Sequence, residues 1–142
     1  MGAIEPATSR FLLDTHVLLW WLFDDQRLTS LARGIIRNPD NTIFVSSASG
    51  WEISTKYRLG KLSHAEEAAH NLPSLLRRAY MDVLSISIEH ALTAGALPGP
   101  HRDPFDRMLI AQSQIEKLPI VTSDSAFKQY SVSIVWESTA VG

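Results

Sequence analysis

The stretch HRDPFDRMLIAQSQIEKLPIVTSD, His101 to Asp124, decides the fold, because it carries a helix with both ends marked and a short strand that ends on a carboxylate. Asp103 is a natural N-cap, Pro104 suits the first helical position where no N–H is needed, and Asp106 falls third, against the positive end of the helix. Phe105, Met108, Leu109 and Ile115 recur on one face at the 3.6-residue period, which predicts the side that packs. Pro119 then forces the chain out of the helix into the apolar run Ile120-Val121-Thr122, a buried strand closed by Ser123-Asp124.

Working outward, strands and helices alternate along the rest of the chain. Phe11-Leu12-Leu13 predicts a short buried strand broken by Asp14, and Thr15 opens a helix whose Val17, Leu18, Trp21 and Leu22 form an apolar face. Asp24-Asp25 marks a loop, Thr29 or Ser30 caps a helix through Leu31, Ile35 and Ile36, and Asn38-Pro39-Asp40-Asn41 is a turn. Thr42 to Ser46 is the second strand. Ser49 and Glu52 stand in the S-x-x-E spacing of a capping box, at the head of a helix that ends near Gly60. Residues 63–81 read as two short helices with Pro73 between them, packing through Leu72, Leu75, Leu76 and Tyr80. Val83 to Ile86 is the third strand, Glu89 to Leu97 a helix, and Pro98-Gly99-Pro100 a loop that can continue neither helix nor ladder. Ala126 to Tyr130 and Val132 to Trp136 supply a last helix and strand. Short apolar strands alternating with helices predict an α/β fold with a mostly parallel sheet covered on both faces.

Composition bounds the function more loosely. The chain has 142 residues, 45% apolar and 20% charged, enough for one continuous core. We read residues 1–10 as a loose leader and 11–142 as a single domain. A net charge of −2 gives no global attraction for phosphate backbones, so nucleic-acid binding has to rest on local groups or bound cations. The absence of cysteine removes disulfides, thiolate zinc sites and cysteine nucleophiles, in keeping with a reducing, cytoplasmic compartment. The longest apolar run, Val17 to Phe23, is too short to cross a bilayer, so no membrane partner is expected.

The acids are the chemical signal. In a parallel α/β sheet helix N-termini collect at the carboxyl edge of the strands, where ligands bind, so Asp14, Glu52, Asp106 and Asp124 should face one crevice. Each also has a structural job available: Asp14 and Asp124 as N-caps, Asp106 and Glu52 as third-position partners of Asp103 and Ser49. A cap contributes about 1 kcal/mol, whereas two carboxylates about 5 Å apart at an effective dielectric near 20 repel by roughly 3 kcal/mol. If the four converge, either some are protonated or a divalent cation sits among them. An oxygen-only set selects Mg²⁺ or Mn²⁺ over zinc.

Arg107, directly after Asp106, is the expected phosphate contact. His16 and His101 stay outside the site, since a lone histidine is more often a loop or surface residue. Lys56, Arg58 and Lys61 read equally well as a solvated face, and Trp20, Trp21, Trp51 and Trp136 as core or interface. Two rival classes stand beside a metal enzyme. One is a non-catalytic binding module whose acids are helix caps. The other is a phosphotransfer domain with an aspartyl nucleophile, which expects a D-x-D strand end or a late lysine; Asp14-Thr15-His16, and no lysine near Asp124 except Lys128, count against it.

LLDTH at 12–16, SxxSxWEI at 46–53, HRDPFDRMLIAQ at 101–112 and VTSD at 121–124 together resemble the PIN-domain ribonucleases, specifically the VapC-type toxins of bacterial toxin–antitoxin pairs. The resemblance runs from Phe11 to Trp136. It implies a compact α/β/α sandwich, Mg²⁺-dependent cleavage of RNA, a cognate VapB-like antitoxin and a homodimer. By motif it carries the family's acidic quartet onto Asp14, Glu52, Asp106 and Asp124 as catalytic, metal-holding residues, with Asp103 assisting or only capping. Ser113 and Ser123 depart mildly from the family's usual small residues.

Overall fold

The computed structural model describes residues 9–137. In chain order these form β1 (Arg10–Leu13), α1 (Thr15–Leu22), α2 (Ser30–Arg37), β2 (Thr42–Ser46), α3 (Ser47–Arg58), α4 (Glu66–Arg78), β3 (Asp82–Leu84), α5 (Ile88–Ala96), α6 (Pro104–Glu116), β4 (Ile120–Val121) and β5 (Ile134–Val135), with a 3-10 helix at Ser125–Gln129 between the last two strands. The five strands lie in the order β3-β2-β1-β4-β5, and every pairing is parallel. From β1 the chain first builds outward through β2 and β3, then returns to the other side of β1 with β4 and β5. The switch point therefore lies between β1 and β4, where such sheets open a crevice beyond the strand ends.

Strand alternation divides the core into two layers. Leu13, Ile43, Val45 and Val121 face one side with Val17, Leu18, Ala32 and Leu76, while Leu12, Phe44 and Ile120 face the other with Leu109, Ile110 and Phe127. This is the expected α/β sandwich. Several boundaries differ from the sequence reading. Most of the expected leader, residues 1–8, lies outside the described residues; Arg10 belongs to β1 and pairs with Thr42. Helix α4 is broken at Asn71 (φ −128°, ψ 23°), two residues before Pro73, so the expected pair of short helices is present. Its packing side ends at Leu76, because Tyr80 lies beyond the helix with φ 56° and is 93% exposed. Along α6 the buried residues are Leu109, Ile110, Ala111, Gln112 and Ser113, and Ile115 is exposed. This helix lies between the sheet and α5, so its buried arc is wider than a single stripe. The third and fifth strands are shorter than the apolar runs that predicted them, and Ile86 lies beyond the end of β3 and is exposed.

Candidate active site

Asp14 sits at the end of β1, one position before α1, and is buried. It occupies the N-cap position, but its side chain makes no capping hydrogen bond. Its Oδ2 accepts instead from Thr122 Oγ1 at 2.8 Å, across the switch point at the end of β4. Burial raises the Asp14 pKa above its ordinary value, the Thr122 bond and His16 oppose the rise, and Glu52 adds to it.

Glu52 corrects the sequence reading of α3. The helix starts earlier than expected: Ser46 is the N-cap and accepts from Ala48 N at 3.0 Å. Ser49 therefore lies inside the first turn, bonded through its hydroxyl to Thr15 Oγ1 at 2.8 Å, and Glu52 is mid-helix with no capping role. Glu52 is 3% exposed; Oε2 pairs with Lys56 one turn on, and Oε1 is buried without a hydrogen-bond partner. Burial works against the Lys56 charge, yet its bond to Glu52 and the fields of Glu52, Asp103 and Asp106 hold its pKa above the usual lysine value.

In α6, Asp103 is the N-cap, accepting from Phe105 N at 2.9 Å and Asp106 N at 3.1 Å. The Asp106 carboxylate does not return the bond. Its Oδ2 meets His101 Nε2 at 2.9 Å, and its pKa is pushed up to about 6, chiefly by burial, with the His101 bond opposing and Asp103, Asp14 and Glu52 adding. Asp124 stands apart from these three. It is exposed, caps the 3-10 helix by accepting from Ala126 N at 2.9 Å, and is tied to the site through its own N–H, which donates to Thr122 Oγ1 at 3.0 Å. The capping reading thus holds for Asp103 and Asp124 and fails for the side chains of Asp14, Glu52 and Asp106.

The family model of the PIN domain matches residues 11–132. The chain belongs to the PIN-domain family. Ribonuclease VapC16 of Mycobacterium tuberculosis is 44% identical over 62 residues, which cover 44% of this chain and 43% of that protein. Ribonuclease VapC22 of the same organism is 28% identical over 120 residues, 84% of this chain and 90% of that protein. The match to the first thus spans under half of its length, and the match to the second nearly all. Among solved structures, VapBC2 from Rickettsia felis bound to a promoter DNA fragment superposes with a TM-score of 0.66 at 18% identity, covering 90% of this chain and 99% of that one. DNA-bound VapBC from Salmonella typhimurium gives 0.61 at 16% identity, with 89% and 97% covered. At such identities the likeness is one of fold.

This PIN domain brings Asp14, Glu52 and Asp106 within electrostatic reach of one another from three different elements. Among the described residues no three ligating side chains stand as a ready-made coordination group. The donor set nevertheless fits a hard cation: all of its groups are oxygens, Glu52 Oε1 is buried and unpartnered, and two of the carboxylates resist ionisation. Arg107, the expected phosphate contact, has its guanidinium engaged by backbone carbonyls. Its guanidinium donates to the carbonyls of Ala94 (3.0 Å), Gly95 (3.4 Å), Leu97 (2.6 Å) and His101 (3.0 Å), clamping the end of α5 and the following loop onto α6. Three side chains at the site were missed by sequence reasoning. Lys56 was legible from its i,i+4 spacing to Glu52. His101 and Thr122 carried no spacing signal, since each reaches its acid across a loop or a strand pair.

Proposed function

We propose that this PIN domain is a Mg²⁺-dependent endoribonuclease acting as the toxin of a toxin–antitoxin pair, restrained by a VapB-like antitoxin. The observation that carries the reading is the set of three electrostatically coupled carboxylates at the sheet's switch point, two of them with raised pKa values and one with an oxygen left unpartnered. Helix caps explain none of these three side chains. Both curated relatives are named ribonucleases, which supports the activity, and the VapBC structures support a partner of that kind. We assign the family's expected homodimer to the same proposal, with light scattering as its check.

Asp14 and Asp106 would hold Mg²⁺ directly, or Mn²⁺ in its place, with Glu52 and Asp124 acting through waters or on a second ion. When bound, the cation lowers the pKa of an attacking water and offsets charge that develops on the transferring phosphoryl group. Thr122 fixes the Asp14 oxygen through its hydroxyl, and His101 fixes one oxygen of Asp106. Lys56 holds Glu52 in place and supplies the positive charge that Arg107, committed to backbone carbonyls, does not.

The test is cleavage of a panel of structured RNAs by the parent protein and Asp14→Asn, with Mg²⁺ and with EDTA. The parent should cut only with Mg²⁺, and the variant should lose on the order of a hundredfold or more, the scale on which a misplaced reacting group slows a reaction. No Mg²⁺-dependent cutting by the parent would reject the activity; equal cutting by both would reject the placement. The cap made by Asp124 favours the non-catalytic reading at that one position, and Asp124→Asn separates the two roles because asparagine caps as well as aspartate. Cleavage lost with the melting temperature unchanged assigns Asp124 to the chemistry.

A further inference from the structure

A cavity of about 390 Å³ opens between α1 and the turn that leads into α4, outside the acid cluster. Five of its lining side chains are planar: His16, Trp20, Phe23, Arg27 and His64. They are arranged as well as numerous. His64 meets Phe23 edge-on at 5.8 Å between ring centroids, His16 lies 6.2 Å from Trp20, and the Arg27 guanidinium lies over Trp20 at 5.1 Å. Asp25 engages one edge of that guanidinium with both carboxylate oxygens, Nε to Oδ1 at 3.1 Å and Nη2 to Oδ2 at 2.8 Å, which orients its plane. The cavity lies beside the acids, since His16, which lines it, is two residues after Asp14 in the first turn of α1.

We propose that this cavity is a nucleobase subsite, in which one unstacked base of an RNA strand lies against the imidazole, indole and guanidinium planes while the strand's backbone passes the acids. Bases splayed from single-stranded RNA stack on aromatic rings and on arginine planes, and planar walls joined to an anionic, metal-fitting edge match that ligand better than an aliphatic peptide side chain. The inference deepens the ribonuclease reading and rests on it for the backbone's path, but the base pocket has its own assay.

The assay uses the full-length protein without metal and the four ribonucleoside 5′-monophosphates as probes, with ribose 5-phosphate as the control. At least one nucleotide should quench tryptophan fluorescence and shift the imidazole proton resonances of His16 and His64 at constant pH, and ribose 5-phosphate should do neither. His64→Ala, on an exposed turn, should weaken that nucleotide on the order of tenfold, the scale of one stacked base. Phe23→Ala provides a second variant should the first disturb folding. Silence at both histidines with all four nucleotides overturns the proposal, as does an equal response to ribose 5-phosphate, which would make the site a phosphate site. A response confined to an apolar peptide would make it a protein-docking site and overturn it too. Nucleotide binding without RNA cleavage would retain the pocket and reject the ribonuclease; cleavage without nucleotide binding would do the reverse.

Discussion

Burial lifts the Asp106 carboxyl from an ordinary 3.8 to about 6, against the pull of the His101 hydrogen bond and with repulsion from Asp103, Asp14 and Glu52. A raised folded pKa means that the folded state holds the proton more tightly than the unfolded chain does. Between pH 3.8 and about 6 unfolding therefore releases a proton at this group, and its contribution to stability falls as pH rises through that window. Asp106→Asn should accordingly melt at the same temperature as the parent below pH 4 and several degrees higher above pH 6, in metal-free buffer. Saturating Mg²⁺ should shrink or reverse the gain, since the parent alone then recovers the cation's stabilisation. A variant that melts lower than the parent at pH 7 without metal would show that the His101 contact outweighs the repulsion. Asp14, Asp106 and Asp124 stood out in the sequence because each follows a strand or lies in the first turn of a helix, whereas Glu52 was singled out by a capping-box spacing that α3 does not use. Their surroundings did not. Lys56 was read as part of a solvated face even though its i,i+4 spacing to Glu52 marked the pair, because nothing in one sequence says which side of α3 is buried, and His101 reaches Asp106 from the loop just before the Asp103 cap.

Helix α6 was the best-marked element in the sequence, and its start at Asp103-Pro104 and end before Pro119 stand as read. Helix α3 was misread at its head because Ser46, Ser47 and Ser49 all offer capping hydroxyls, and the S-x-x-E pattern selected the wrong one. Ser46 still pairs in register with Leu84, and its hydroxyl accepts from Ala48 N, so it ends the strand and caps the helix that begins at the next residue. Arg107 shows the converse, a residue whose neighbour in sequence suggested one role and whose element assigned another. Its four carbonyl partners lie at the C-terminal end of α5 and in the loop beyond, where carbonyls lack intrahelical partners. Arg107→Ala should destabilise the protein by about 2 kcal/mol, the scale of hydrogen bonds from a charged donor to part-buried carbonyls. Arg107→Lys should recover only part of this, because an ammonium cannot span the same fork. Thermal melting is the measurement. An unchanged melting temperature with weakened RNA binding would return Arg107 to the phosphate role the sequence suggested.

Across the whole molecule, charge is distributed so that a weakly acidic protein concentrates its costliest negative groups at one edge of the sheet. The only cation the acids draw in, among the described residues whose titration is shifted by them, is Lys56. In the proposed toxin–antitoxin pair, an inhibitor would have the same kind of contact open to it. A side-chain ammonium or guanidinium placed among Asp14, Glu52 and Asp106 relieves the same repulsion that a divalent ion would, so the two compete for one set of oxygens. An antitoxin segment that lies on apolar surface beside α1 and α4 and directs an Arg or Lys to that edge would inhibit by this route. Its affinity should then fall as Mg²⁺ rises, and by linkage its binding should weaken Mg²⁺ by the same factor. Asp106→Asn should loosen the complex modestly and flatten the Mg²⁺ dependence, because the apolar contact remains while one charge contact is lost. Titration of the antitoxin tail against parent and variant, at low and high Mg²⁺ and fixed ionic strength, measures both effects. An affinity indifferent to Mg²⁺ in the parent would mean that the antitoxin blocks the path of the RNA and leaves the acids untouched.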